Sequence, residues 1–242
     1  MGAARQRADP KCVNVQIRCR PAYAIAYLIL DYQESAFVER GAFVSCTAAL
    51  SARAGLGGEG PVRALKRKAF GGEPLLFNEF TAEAQGAWVA VAPAYPGDVD
   101  CVDITEATPL LVESGSLLAY SSGIHSDVRY TGARTLVMHE GIALIEVEGN
   151  GQAVISAYGG IDEVSLQDGE TLTVDTGHIV AFDAHMSFDV GPMGSITSSV
   201  LTATGFVARF TGPGRVLLQT RKEVAFRDWL FPDHSQNSPH RH

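Results

Sequence analysis

Cysteine, basic charge and long apolar runs are all scarce in this chain. Its four cysteines, Cys12, Cys19, Cys46 and Cys101, show neither C-x-x-C spacing nor the density of a disulfide-stapled secreted domain. A reducing, intracellular setting is therefore expected, cytoplasmic if the source is prokaryotic. Lys plus Arg is 19 against 27 for Asp plus Glu, a net charge of -8, so no overall positive field draws phosphate backbones and nucleic acid is not an expected partner. The longest apolar run, Ala22 to Leu30, falls far short of the about 20 residues a spanning helix needs. The N-terminus lacks the apolar segment of a secretory signal and has Gln6 where myristoylation prefers Ser or Thr. Its early basic residues, Arg5, Arg7, Lys11, Arg18 and Arg20, have the character of an organelle transit segment, which gives a mitochondrial location as the alternative.

What the chain does have is 46% hydrophobic residues, 25 glycines and 11 prolines, the make-up of a turn-rich domain with a substantial core. At 242 residues it is long for one domain, yet all-β sandwiches and barrels commonly reach 200 to 250. Three segments align without a gap on a shared acidic-x-Gly corner: Leu28 to Gly41, Val102 to Gly115 and Val164 to Gly177. Each reads as strand, polar turn, strand, corner, and a third strand follows each glycine. Each unit then offers a further hairpin, centred on Gly86, on Gly149-Asn150-Gly151 and on Gly212-Pro213-Gly214. The expected architecture is an all-β barrel or sandwich of three pseudo-repeats, about 28–101, 102–163 and 164–225, with few or no helices. Those repeats fall within a single domain, 15–228, between a flexible N-terminus, 1–14, and a C-terminal tail, 229–242.

The first repeat is longer because it contains Gly55 to Gly60 and a basic loop with Lys66, Arg67 and Lys68. No strand leads into a G-x-x-x-x-G-K-[ST] pattern there, so the loop is not a P-loop; it reads as solvated, or as a contact for an anionic surface. The corner acids Glu39, Glu113 and Asp175 are suited to accepting backbone N–H bonds that a turn leaves free, next to a glycine that permits positive φ. The sharper alternative brings the three carboxylates to a common axis as oxygen ligands for a hard cation. Catalytic groupings are thin. His178, Asp183 and His185 suggest a two-histidine, one-carboxylate metal site, but period-two alternation points His178 away from the other two. His125 and Asp127 lie near Ser121-Ser122-Gly123 without a nucleophile elbow. No catalytic residue, cofactor or metal is assigned.

Trp88, Tyr95, Tyr120, Tyr158 and Trp229 divide between core and surface, and Trp229-Leu230-Phe231, just ahead of the polar tail, is the best candidate for contact with a neighbouring subunit. The run Phe70 to Ala82, FGGEPLLFNEFTA, resembles the signature of the altered-inheritance-of-mitochondria (mitochondrial biogenesis) family. Val89 to Pro93, Pro96 to Val99, Gly149-Asn150-Gly151, Leu166 to Asp175, Phe210 to Gly214 and Leu218 to Thr220 agree with it in order, covering about residues 15 to 222. The resemblance implies a tubby-like, TRAP-like or double-stranded β-helix barrel with internal duplication, and brings no reaction and no catalytic residues. It also implies, through fungal relatives, an association with the architecture of the mitochondrial inner membrane. This chain departs from the family pattern at Tyr32-Gln33-Glu34, which leaves the shape of the first turn open. Two functions follow as expectations: a non-enzymatic, oligomeric scaffold or binding protein, peripheral to a membrane or bound to a protein partner, or a small-ligand or metal-binding barrel, cupin-like in its chemistry.

Overall fold

The computed structural model describes residues 13–54, 77–130, 143–193 and 206–231. After an N-terminal strand, β1 (Asn14–Arg18), the described chain runs through three successive groups of six strands. The first group is β2 (Ile25–Leu30), β3 (Ser35–Glu39), β4 (Phe43–Cys46), β5 (Leu50–Ala54), β6 (Phe77–Ala82) and β7 (Ala87–Val91). The second is β8 (Val99–Ile104), β9 (Leu110–Glu113), β10 (Leu117–Ser121), β11 (Ile124–Tyr130), β12 (Ala143–Gly149) and β13 (Gly151–Ser156). The third is β14 (Ile161–Leu166), β15 (Thr171–Asp175), β16 (Ile179–Asp183), β17 (Ser187–Pro192), β18 (Phe206–Thr211) and β19 (Gly214–Gln219), followed by helix α1 (Glu223–Leu230).

Within each group the pairing is the same: first with sixth, third with sixth, second with fifth, fourth with fifth, all antiparallel. Even the irregularity recurs, because the third strand of each group slips one residue against the sixth, at Val44, Leu118 and Val180. Groups join where the second strand of one pairs with the third strand of the next, β3 with β10 and β9 with β16. The result is four sheets, ordered β1-β2-β7-β4, β5-β6-β3-β10-β13-β8, β11-β12-β9-β16-β19-β14 and β15-β18-β17.

Three apolar clusters fill the spaces between successive sheets. The first joins Leu28, Leu30 and Val89 of the four-stranded sheet to Val38, Phe80 and Val154 of the next. The second joins Phe77, Tyr120 and Ile155 to Leu110, Val147 and Leu217, and the third joins Leu111, Phe182 and Val216 to Val174, Ala208 and Phe210. Sequence pattern follows from the number of covered faces. β2 (IAYLIL) alternates, with Ala26, Leu28 and Leu30 buried and the residues between them half-buried, as one dry face requires. β10 (LLAYS) and β16 (IVAFD) lie in sheets packed on both sides and are buried at every position, so their apolar runs are nearly unbroken.

Several sequence expectations are corrected here. No sheet closes on itself among the described residues, so the barrel alternative gives way to layers of open sheets. The turns at Gly86, Asn150 and Gly212-Pro213 are not hairpins: the strands either side of each belong to different sheets, and the turn carries the chain across a core. A short turn of glycines has the same sequence signature whether its flanking strands pair with each other or face each other. Among the described residues one α-helix is present, and it spans the expected boundary between domain and tail at residue 228. It ends at Phe231, whose φ of -125 and ψ of 66 leave the helical region ahead of Pro232, as a residue preceding proline tends to do. The turn at Tyr32-Gln33-Glu34 keeps the shape of its glycine-bearing counterpart. Gln33 holds φ +63 where Gly169 holds +75, and Glu34 and Glu170 each accept from the backbone N–H three residues back.

Candidate interaction surface

The acidic corners show why the motif is acidic-x-Gly. In the second group the Glu113 carboxylate folds back over the turn, accepting from the Gly115 N–H at 2.8 Å and from the Ser114 and Ser116 hydroxyls at 3.2 and 3.3 Å. In the third, Asp175 accepts from the Gly177 N–H at 3.0 Å and from Lys222 Nζ at 2.6 Å. A Cβ on Gly41 would lie 3.0 Å from Glu39 Oε2, and one on Gly115 would lie 3.1 Å from Glu113 Oε2. None of the three glycines has positive φ, so the motif selects glycine for the room it leaves the carboxylate, not for left-handed backbone. Burial pushes the Glu113 carboxyl above its ordinary range, with the Gly115, Ser114 and Ser116 hydrogen bonds pulling the other way. Among the described residues no three His, Cys, Asp or Glu side chains are grouped so as to hold a metal. Lys66, Arg67 and Lys68 lie outside the described residues.

The remaining candidate residues are each engaged separately. His178 Nδ1 meets the Gln219 carbonyl at 2.6 Å, His185 Nε2 meets the Pro213 carbonyl at 3.2 Å, and Asp183 binds Arg215. Ser121 is bonded to the Gln152 backbone, and His125 and Asp127 stand along β11 opposite Glu148 and Glu146.

One repeated contact was not read from the sequence. Six residues after each corner glycine, a side-chain oxygen accepts from a backbone N–H of the sixth strand. Thr47 accepts from Trp88 at 3.2 Å, Ser121 from Gln152 at 3.0 Å, and Asp183 from Arg215 at 2.8 Å. In the third group the acid also takes the Arg215 side chain, at 3.1 Å from Nη2, and that contact raises the guanidinium pKa. The signal was available as a polar residue closing each of FVSCT, LLAYS and IVAFD, but Thr, Ser and Asp share no residue type.

Among the described residues the most exposed apolar cluster is on and beside α1. Phe226 of α1 packs edge-on against Tyr158 at 5.8 Å and stacks on Trp229 at 6.0 Å, while Tyr158 meets Tyr95 at 5.4 Å. Tyr95 also hydrogen-bonds Glu223, which raises its phenol pKa. The helix thus leans one aromatic on the sheet and leaves the rest outward: Trp229 is 73% exposed and Phe231 76%, with Val224 and Leu230 about half exposed. The apolar stripe of Ala225, Phe226, Trp229 and Leu230 is opposed by Glu223, Arg227 and Asp228, giving an amphipathic helix whose apolar side is only partly covered. Tyr120, by contrast, is core, and Trp88 is half-buried against Tyr27.

The chain is 24% identical over 204 residues to an uncharacterised protein of Streptococcus pyogenes serotype M6, covering 82% of each. A crystal structure of a Streptococcus pyogenes protein matches at TM-score 0.74 and 23% identity, covering 90% of this chain and 98% of that one. That likeness speaks to the fold. The family model for mitochondrial biogenesis AIM24 matches residues 15–221, and the chain belongs to that family.

Proposed function

We propose that the protein is a non-catalytic scaffold of three repeated six-strand units that works at a lipid interface through α1. The observation carrying this reading is the outward aromatic stripe. Trp229 and Phe231 leave a large apolar area in water, on a helix that already has a charged opposite side. Aromatic side chains with Trp among them favour the headgroup level of a bilayer, where an apolar body and a polar edge are both satisfied. At a net charge of -8 the attachment would depend on apolar burial, not on attraction to anionic lipid. The test is co-sedimentation with vesicles of zwitterionic phosphatidylcholine, read alongside the emission of Trp229 in a Trp88→Phe background. Binding with a blue shift, lost in Trp229→Ala/Phe231→Ala, is the expected result. No binding, or binding that the double substitution leaves intact, overturns the reading.

A further inference from the structure

Antiparallel pairing in a shared register gives the stack of sheets two unlike ends. One end collects the three acidic-x-Gly corners, the linkers 19–24, 92–98, 157–160 and 220–222, and the start of α1. The opposite end collects the turns at 31–34, 83–86, 105–109, 150, 167–170 and 212–213. Charge divides between them. At the turn end Asp31, Glu83, Glu106, Glu148, Asp168 and Glu170 are exposed, and among the described residues Arg215, already bonded to Asp183, is the one Lys or Arg there. At the corner end stand Arg18, Arg20, Arg40, Arg221, Lys222 and Arg227, and acids there are largely taken up: Asp98 by Arg20, Asp175 by Lys222, Glu113 by its own turn. Exposed apolar side chains divide as well. Of the large ones among the described residues, only Tyr32 lies at the turn end; the others lie at the corner end or on α1, Tyr23 of the first linker and Tyr95 of the second among them. Main-chain hydrogen bonds lace the linkers into one belt: Ala24 N–H to the Gly97 carbonyl at 2.9 Å, Asp98 N–H to that of Gly159 at 2.7 Å, and Arg221 N–H to that of Tyr158 at 3.2 Å. Tyr23, 74% exposed and next to the first of these bonds, is thereby held at the same end as α1.

We infer that the whole corner end, and not α1 alone, is the lipid-contacting surface, with Tyr23 as a second anchor and the acidic turns held away from the bilayer. Given that α1 meets lipid, as proposed above, the second anchor supplies what the helix lacks. A single eight-residue helix is a tether about which the body can swing. An aromatic fixed on the belt removes that freedom and sets the strands across the membrane plane, corners down. Tyrosine suits the headgroup level, where its ring is buried and its hydroxyl stays wet. Arg40 and Arg221, exposed at the same end, suit phosphate oxygens, which zwitterionic and anionic lipids share. Distance explains how a chain of net charge -8 tolerates this. Strands of five or six residues at about 3.3 Å each put the acidic turns roughly 17–20 Å from the corners. That is about two Debye lengths at physiological salt, so their repulsion from an anionic surface is screened in this orientation and severe in the reverse one.

The experiment uses the full chain and two exposed tyrosines at opposite ends, Tyr23 and Tyr32, the latter 58% exposed, so that neither substitution disturbs the core. In co-sedimentation with phosphatidylcholine vesicles, Tyr23→Ala should weaken binding about 3–10-fold, the loss of one interfacial aromatic, while Tyr32→Ala leaves it unchanged. Orientation is read separately. In a Trp88→Phe/Trp229→Phe background, which keeps an aromatic at both sites, the emission of Tyr23→Trp should be quenched by brominated phosphatidylcholine and that of Tyr32→Trp should not. Equal binding by Tyr23→Ala and the unsubstituted chain, or quenching of Tyr32→Trp as strong as that of Tyr23→Trp, overturns the inference and leaves the role of α1 standing. A chain that binds no vesicles overturns both.

Discussion

Removing the oxygen that closes each third strand should destabilise the protein by three different amounts, in an order set by geometry. Thr47→Val keeps the shape of the side chain and deletes a 3.2 Å acceptor at the outermost group, where β4 is an open edge and water can replace the bond. Its cost should be about 0.5–1 kcal/mol, that of an ordinary hydrogen bond. Ser121 is 3% exposed and its oxygen serves the Gln152 N–H at 3.0 Å. Ser121→Ala leaves that donor without a partner between packed sheets, about 1–3 kcal/mol. Asp183 is 6% exposed and serves both the Arg215 N–H and its guanidinium. Breaking a fully buried pair costs about 3–5 kcal/mol, but the Arg215 side chain is 35% exposed and regains water, so Asp183→Ala should cost about 2–4 kcal/mol. Equilibrium denaturation in urea, comparing midpoints at constant slope, reads all three. Equal costs, or Thr47→Val as the most damaging, would refute the reasoning that burial of the served donor sets the penalty.

Other expected outcomes can be checked in the same assay. Gly97→Ala should be severely destabilising, because its Cβ would overlap the Ala157 carbonyl where Asp98 N–H to Gly159 O (2.7 Å) and Ala157 N–H to Asp98 O (3.0 Å) hold together the two linkers that flank the second group; losing these and their neighbours amounts to about 3–5 kcal/mol. Gln33→Gly should stabilise by about 0.5–1 kcal/mol, since φ +63 strains a residue with a Cβ and nothing else about the turn depends on Gln33 main-chain restriction. Glu113, whose carboxyl is raised by burial, binds its proton more tightly folded than unfolded. Its contribution is complete below the ordinary glutamate range and declines as pH climbs from there to the raised folded value. Glu113→Gln should flatten that part of the stability profile against pH, and a profile unchanged by the substitution would count against the burial argument.

The corner glycines made the recurrence visible because the chemistry that selects them is local: a carboxylate two residues earlier needs the space a Cβ would take. Turn signals at Gly86, Asn150 and Gly212 were equally visible, yet they suggested hairpins. Partner choice is settled by which sheet buries a strand's apolar face, and β12 and β13, separated by a single residue, show it: one pairs with β9 and β11, the other with β8 and β10. The Thr47, Ser121 and Asp183 contacts stayed hidden for the opposite reason. Geometry repeats there while residue type does not, since any short side chain with an acceptor oxygen satisfies the same N–H. His178, Asp183 and His185 are not gathered as a metal site among the described residues: one ring nitrogen of each histidine meets a separate backbone carbonyl, at Gln219 and Pro213, and Asp183 binds Arg215.

Where interactions can occur follows from the layering. The two central sheets are covered on both faces, and their strands β10 and β16 expose nothing along their length. Among the described residues, contact surfaces therefore lie on the outer sheets, at the strand ends or on α1. The outer sheets are not alike. Thr171, Thr173, Arg209, Thr211 and Asp189 make the far side of the three-stranded sheet polar, whereas Ile25, Tyr27, Ile29 and Trp88 leave the far side of the four-stranded sheet apolar and half-covered, with Arg18 lying over the Tyr27 ring at 4.4 Å. On the same face of the second group, Val99, Val154 and Leu118, the counterparts of Ile25, Ala90 and Val44, pack against the group before it. Among the described residues the first group thus retains a face of the kind that elsewhere receives a preceding unit, and the third offers a polar outer face.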